Sequence, residues 1–580
     1  MHKRGFCTII RPMKSPISLL CPEGIDPEYI EMEQDTIHDL SLDDLCRLVT
    51  DEKCEQDMAL SILSHLSKNE DVIRYRTEVF EDVLSNPELR KRMLELLKKV
   101  DYIRQFSSFN RESDAAGIWQ LLHRLGDLGD YIVCVEELAD CLSATKIKSR
   151  GLVSIRDYVK KIHEDGNFAA MKKDIAELKF DAADIRSLTI GINLNNKMEP
   201  VEIGINSINK KPFKNSKIFH NMIDACKYKN EEAGADWDGS LKFSSDTDWA
   251  DSFLNQETFF KFNGLIRPVN GTTDIVRSLD RIASGVLRDT CRRLKNKLSE
   301  YASVSINVII NNLLPELLFY VKFAEYVEGL KSKGFVMNKP VVLSSELRGL
   351  KAEGLYNLKL TEKITPEEIV GNSLVFDAEH RTYILTGANR GGKTTITVAT
   401  GIAFVLAQAG IYVPADSFEF SPVDQIHTHF PADENKTMEL GRLGEESRRF
   451  KTSYRASTPS SLLLLNESFS TTSFEEGYFI ARGAVKAILS KGCRTIYNTH
   501  MHKLAFDIDE INKEVQGDSK ASSMIVVSEG GVRSFKVQVA KPVGQSYAMD
   551  IAIKYGVTYD QLMEDKDDQG NQEEENSQKD

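Results

Sequence analysis

Gly387-Ala388-Asn389-Arg390-Gly391-Gly392-Lys393-Thr394 is a complete G-x-x-x-x-G-K-[ST] segment, set between a short apolar run at 382–386 and an amphipathic stretch at 395–409. A strand, a glycine loop and a helix in that order commit their part of the chain to an α/β layer with a largely parallel sheet. The glycines allow backbone N–H groups to close around phosphate oxygens, and the helix N-terminus adds a favourable dipole. Lys393 is then expected to reach the β- and γ-phosphates and Thr394 to bind Mg²⁺, with Gly387 to Thr395 forming the ATP site.

Two further segments extend this reading. Ser461-Leu462-Leu463-Leu464-Leu465-Asn466-Glu467 is a buried-type strand that delivers polar residues at its C-terminal end, where ligands of α/β sheets sit. A Walker B strand carries Asp and then Glu there, the first holding Mg²⁺ and the second polarising water. Asn466 occupies the first position, so it adds no charge to the metal site, and Glu467 the second. Thr495-Ile496-Tyr497-Asn498-Thr499-His500 is another hydrophobic strand, whose His500 is placed to meet a γ-phosphate.

The order and wording of these segments resemble the ATPase domain of the MutS family. TGANRGGKTT is similar to the family's TGPNMGGKST, AGIYVPA to AGSFVPA, SPVDQIHTH to GPIDRIFTR, LLLLNESFSTTS to LLLMDEIGRGTST, and TIYNTHMHKLA to TLFATHYFELT, with a late GQSYA echoing GxSYG. The likeness is dense over 380–550 and looser upstream, where RYRTEVFEDVLSNPELRKRM resembles the start of the family's helical core. The resemblance implies a homodimer in which a signature loop of one subunit completes the ATP site of the other. That loop is expected within 435–446, where Gly441-Arg442-Leu443 replaces the usual GRSTF-type serine and Arg442 is a candidate partner for the γ-phosphate, and equally a solvated arginine on a helix rich in charge pairs. The mismatch-reading Phe-x-Glu does not occur before Phe323-Ala324-Glu325, so direct mismatch reading is not expected.

The expected fold is multidomain: a helical core and lever, a small β clamp insertion, and an α/β P-loop ATPase domain of the ABC/MutS type. The segments are 1–40, a helical core over 41–184, the insertion and a Gly/Ser-rich connection over 185–262, a helical lever over 263–337, the ATPase domain over 338–563 and an acidic tail over 564–580. Three- and four-residue apolar spacing marks the helices, with Asn86-Pro87 as a helix boundary and a second break near Pro315. The alternation in SLTIGINLNNKMEPVEIGINSI predicts a hairpin.

A net charge of −13, nearly half of it in the tail, does not advertise a nucleic-acid binder, so DNA contact must come from local patches. Lys210, Lys211, Lys214 and Lys217 around Phe213 suit phosphate contacts at a clamp tip, and equally a solvated loop. Arg288 to Lys297 is a second basic stretch, read as a polar helix face. The nine scattered cysteines lack a C-x-x-C pair and fit reduced thiols in a cytoplasmic protein. Neither a secretion signal nor a membrane span is expected.

The function these features imply is an ATP-gated, DNA-binding dimeric clamp acting on duplex or branched DNA, with repair or recombination proteins as partners. The rival reading is a slow-hydrolysing ATP switch that acts on protein partners. An ATPase of the chromosome-maintenance kind is disfavoured, because no coiled-coil insertion separates Lys393 from Asn466.

Overall fold

The computed structural model describes residues 17–100, 118–182, 187–194, 196, 200–209, 287–301, 304, 306–388, 390–431, 441–517, 519–529, 532–542, 553 and 555–562. The chain divides into two compact units, one formed by 86–147 and 152–318, the other by 19–85, 148–151 and the chain from 319 onward.

The second unit opens with β1 (Ile30–Glu31), α1 (Gln34–Asp39), α2 (Leu42–Val49), α3 (Lys53–Leu63), β2 (His65–Leu66), which pairs antiparallel with β1, and α4 (Glu70–Ser85). The expected boundary at Asn86-Pro87 is present. The Asn86 side chain accepts from the Leu89 N–H at 3.1 Å, and Pro87, which has no N–H to satisfy, occupies the first turn.

The first unit continues with α5 (Pro87–Lys99), α6 (Ile118–Ala144), α7 (Arg150–His163) and α8 (Gly166–Ala182). Leu128, Val135 and Leu138 of α6 recur at helical spacing and are fully buried, as are Ile155 of α7 and Ile175 of α8 to within 2%. β3 (Ser187–Leu194) and β4 (Pro200–Asn209) form the antiparallel hairpin expected from their alternation. α9 (Arg288–Glu300) fastens to α8 where Lys297 and the Tyr301 hydroxyl both reach Asp174, at 3.1 and 2.6 Å. The break expected near Pro315 lies instead between Glu300 and Ile306. A π-helical stretch, Asn307–Leu313, runs directly into α10 (Leu314–Ser332), with Pro315 in its first turn. The wider turn upstream eases the ring's conflict with the carbonyl four residues back.

The second unit then adds two sheets. β5 (Val341–Val342), β6 (Leu350–Leu355) and β7 (Asn372–Phe376) join a four-stranded sheet with the later strand β9, ordered β5-β9-β6-β7. Burial alternates along β6 and β7, so one face is covered and one meets solvent. The larger sheet has the order β10-β11-β12-β8-β13-β14, built from β8 (His380–Thr386), β10 (Ile426–His429), β11 (Leu462–Asn466), β12 (Arg494–Asn498), β13 (Lys520–Glu529) and β14 (Val532–Val539); β9 is Ser417–Phe420. All neighbours in the larger sheet are parallel except β13 and β14. Every residue of β11 and β12 is buried, which is why β11 reads as a run of four leucines rather than an alternating pattern, while β12 buries Arg494, Thr495 and Asn498 as well.

α11 (Lys393–Gln408) follows β8 and is buried nearly all round. Its C-terminal end is pinned. Gln408 accepts from Arg76 through its carbonyl at 2.8 Å, and its side-chain amide donates to the Ser67 and Val423 carbonyls, both at 2.9 Å. α12 (Gly441–Ala456), α13 (Phe474–Lys491), α14 (His502–Phe506) and α15 (Ile508–Glu514) complete the layer. Val485, Ile488 and Leu504 pack with Ile384, Leu463 and Tyr497 of the sheet in a fully buried core; each such side chain contributes about 1.5–3 kcal/mol of transfer free energy.

Candidate functional site

Strand register sets the site. Asn466 pairs with Asn498 and Asn498 with Leu385, so the C-terminal ends of β11, β12 and β8 lie side by side where the glycine loop begins. Gly387 has φ 144° and Gly392, the cap of α11, has φ 94°. A Cβ on Gly387 would stand 2.9 Å from Val526 Cβ, so this close approach of loop to β13 requires glycine. Between them Arg390 adopts φ 58°, an uncommon conformation for a side chain of its size.

Lys393 is buried, and its Nζ donates to the carbonyls of Gly387 at 3.0 Å and Ala388 at 3.2 Å. Burial pushes its pKa down, against the opposing pull of Glu467. The ammonium thus folds back across its own loop, a position from which a phosphate can draw it.

Thr394, Asn466 and Asn498 form a closed triangle. The Thr394 hydroxyl donates to Asn466 Oδ1 at 2.9 Å, and Asn498 Nδ2 donates to Thr394 Oγ1 at 3.2 Å and also to Asn466 Oδ1. Asn498 Oδ1 is buried with no hydrogen-bond partner among the described residues. Glu467 follows directly in a left-handed conformation, φ 52°, with its N–H donating to the Asn498 carbonyl at 2.9 Å. Its carboxylate meets His500 twice: Oε1 lies 3.0 Å from the ring Nε2, and Oε2 accepts the backbone N–H at 3.2 Å. The structure therefore brings Lys393, Thr394, Asn466, Glu467 and His500 together around one loop.

Thr395 lies in the first turn of α11, where its carbonyl accepts from the Asn357 amide at 3.2 Å. Gly441 is the first residue of α12, with φ 69°. Asn389, the loop residues 432–440, the Arg442 side chain and Lys210, Lys211, Lys214 and Lys217 lie outside the described residues.

Sequence reading missed Asn498, His429 and Ser468. Asn498 sat in plain view within TIYNTH, but its role depends on a register that pairs it with Asn466. His429, fully buried at the end of β10, lies with Nδ1 2.6 Å from the Ser468 hydroxyl and Nε2 3.0 Å from the Glu446 carbonyl. Burial lowers its pKa to about 4. Thr471 donates to the Glu446 carboxylate at 2.8 Å, and burial pushes that carboxyl up.

Mg²⁺ is held by hard, preferably charged oxygens, and few are free here. Asn466 Oδ1 already accepts from Thr394 and Asn498, and the amide Nδ2 can only donate, so this side chain adds neither charge nor a free acceptor for Mg²⁺. Glu467 is engaged by His500. These residues offer a phosphate a good cradle but do not fit a carboxylate-held Mg²⁺. Among the described residues no group of three or more His, Cys, Asp or Glu side chains is arranged to hold a metal ion. No helix among them is long and apolar enough to cross a membrane.

Two sequence models of known families match this chain. The sequence model of MutS domain V matches residues 383–567, the stretch that holds the loop, both asparagines and the Glu467–His500 pair. That of the MutS2 N-terminal domain matches residues 68–333. The DNA mismatch repair protein MutS of Chlorobium phaeobacteroides is 30% identical over 204 residues, 35% of this chain and 23% of the relative. MutS of Chloroflexus aurantiacus is 30% identical over 197 residues, covering 32% and 20%. MutS of Chlorobium chlorochromatii is 28% identical over 276 residues, covering 47% and 30%. The aligned stretches thus span less than a third of the length of these relatives. With one MutS-type sequence model on the helical part and another on the part that carries the site, the chain belongs to the MutS family.

Proposed function

We propose that this protein is an ATP-responsive DNA-binding ATPase that works as a dimer, with nucleotide occupancy governing its hold on duplex or branched DNA. The observation that carries the reading is the convergence of the glycine loop, the Lys393 ammonium and the Glu467–His500 pair at adjacent strand ends. In this reading the loop N–H groups and Lys393 bind the phosphates, Glu467 orients a water, and His500 holds that carboxylate and meets the γ-phosphate. The segment 435–446, with Gly441 and Arg442, completes the partner's site. The helical segments 41–184 and 263–337 form the arms, 185–262 the clamp with Lys210, Lys211, Lys214 and Lys217 on the DNA backbone, and 338–563 the ATPase domain. The setting is cytoplasmic DNA repair or recombination.

The neutral Asn466–Asn498 pair supports a second reading, a slowly hydrolysing switch that acts on protein partners. Equilibrium binding to labelled homoduplex, mismatched and four-way-junction DNA separates the two. It is run without nucleotide, with ADP and with ATP, for wild type and Lys393→Ala. Nucleotide-dependent binding that is lost in the variant is the expected result, and absence of DNA binding at low salt selects the protein-directed switch.

A further inference from the structure

The strand end that carries a carboxylate in Walker-type sites ends here in Asn466, whose Oδ1 is taken up by the Thr394 hydroxyl and by the amide of Asn498 on the neighbouring strand. A nucleoside polyphosphate brought to the loop still carries several negative charges that must be met. Two cationic side chains belong to the loop itself, Lys393 inside it and Arg390 at its rim, with the Glu467–His500 pair at the neighbouring strand ends. Arg390 is exposed and forms no hydrogen bond or ion pair among the described residues. Its left-handed backbone lies within the loop, two residues before the glycine that caps α11. A guanidinium remains charged at any working pH and offers a donor fork matched to phosphate oxygens. A divalent ion gains less here than beside an aspartate, because Thr394 and Asn466 offer it only neutral atoms whose hydrogen bonds are already made.

We propose that this loop takes nucleoside polyphosphates as the metal-free anion, with Arg390 and Lys393 supplying the positive charge that a bound divalent cation supplies in carboxylate-bearing sites. The inference rests on reading Gly387 to Thr395 as a nucleotide site and adds the form of the ligand that the site accepts. Asn498 belongs to the device: by holding Asn466 Oδ1 and Thr394 Oγ1 together, it keeps the vacated carboxylate position neutral and closed.

The test is equilibrium binding of a fluorescent ATP analogue to the full chain in Mg²⁺ and in EDTA at equal ionic strength, for wild type, Arg390→Met, Asn466→Asp and Lys393→Ala. Wild-type affinity is expected to be at least as tight in EDTA as in Mg²⁺, and Arg390→Met to lose about tenfold in EDTA, the worth of one charge-assisted contact. Asn466→Asp is expected to bind about tenfold more weakly in EDTA than in Mg²⁺. A wild type weakened more than about tenfold by EDTA, or an Arg390→Met that binds like wild type, overturns the proposal. Failure of the nucleotide-site reading looks different: no saturable binding in either condition by a wild-type chain with a normal cooperative melt, and no distinction between wild type and Lys393→Ala.

Discussion

The Nδ1 of His429 stands 2.6 Å from the hydroxyl of Ser468, the residue directly after Glu467. Because Nε2 faces a carbonyl, that of Glu446, the proton belongs on Nε2 and Nδ1 accepts from Ser468. Ser468 lies between two left-handed non-glycine residues, Glu467 at φ 52° and Phe469 at φ 63°. Each such conformation costs about 1–3 kcal/mol and persists only where surrounding contacts enforce it. The neutral imidazole is one of those contacts, and it joins the Glu467 turn to α12.

That arrangement carries a pH dependence. The folded ring's pKa is about 4, below its ordinary 6.5, so the unfolded chain takes up the proton first. The stability contributed by the neutral ring is complete above pH 6.5 and drains as pH falls toward 4. Urea unfolding of wild type should lose about 2 kcal/mol more between pH 7 and pH 5 than unfolding of His429→Gln does. Equal losses in the two proteins would remove His429 from this role.

In the proposed reading Glu467 acts in turnover and not in nucleotide binding. Glu467→Gln keeps the shape of the site and removes the carboxylate proposed to orient water, so single-turnover ATP hydrolysis should fall by about 100-fold or more while nucleotide affinity stays within about threefold. A variant that loses binding and hydrolysis in equal measure would assign Glu467 to the structure of the turn instead.

Arg76 is fully buried and donates to the carbonyls of Leu20 and Gln408 and to the Tyr29 hydroxyl, each at 2.8 Å. Arg76→Met leaves buried acceptors unanswered and should cost about 3–5 kcal/mol in chemical denaturation. A loss below about 1 kcal/mol would mean that water or a neighbouring side chain takes over those acceptors.

Gly410 offers a steric test beside it. Its φ is +81°, and a Cβ would fall 2.5 Å from the backbone carbonyl carbon of Arg76. Gly410→Ala should therefore destabilise by about 3 kcal/mol or more, strain and overlap together. Gly483→Ala is the matched control: it is an exposed position in α13 with nothing within 4 Å of the added carbon, and it should be neutral or gain up to about 1 kcal/mol. Similar losses at both sites would place the cost of Gly410→Ala elsewhere than in contact with α4.

Motifs that are contiguous in sequence were legible because strand, loop and helix signals are local. The run 382–386 widened to His380–Thr386, and the helix expected from 395 starts at Lys393, since Gly392 already caps it. What escaped was set by register and long-range contact. The pairing of Asn466 with Asn498 depends on two strands aligned by the fold. The four-stranded sheet joins Val341–Val342 to Ser417–Phe420, across a separation that no local pattern encodes. The break assigned to Pro315 shows the converse error: a residue with a strong local signature sits where a widened turn makes it harmless.

The helix between the glycine loop and Arg76 has sixteen residues, hence a length of about 24 Å, and is fastened at both ends. One continuous element therefore links the loop to Arg76 and Ser67 and, through Arg76, to the Leu20 carbonyl and the Tyr29 hydroxyl. Its far end is held by the part of the chain that precedes Asn86, so residues remote in sequence from the loop help to fix the helix that the loop begins.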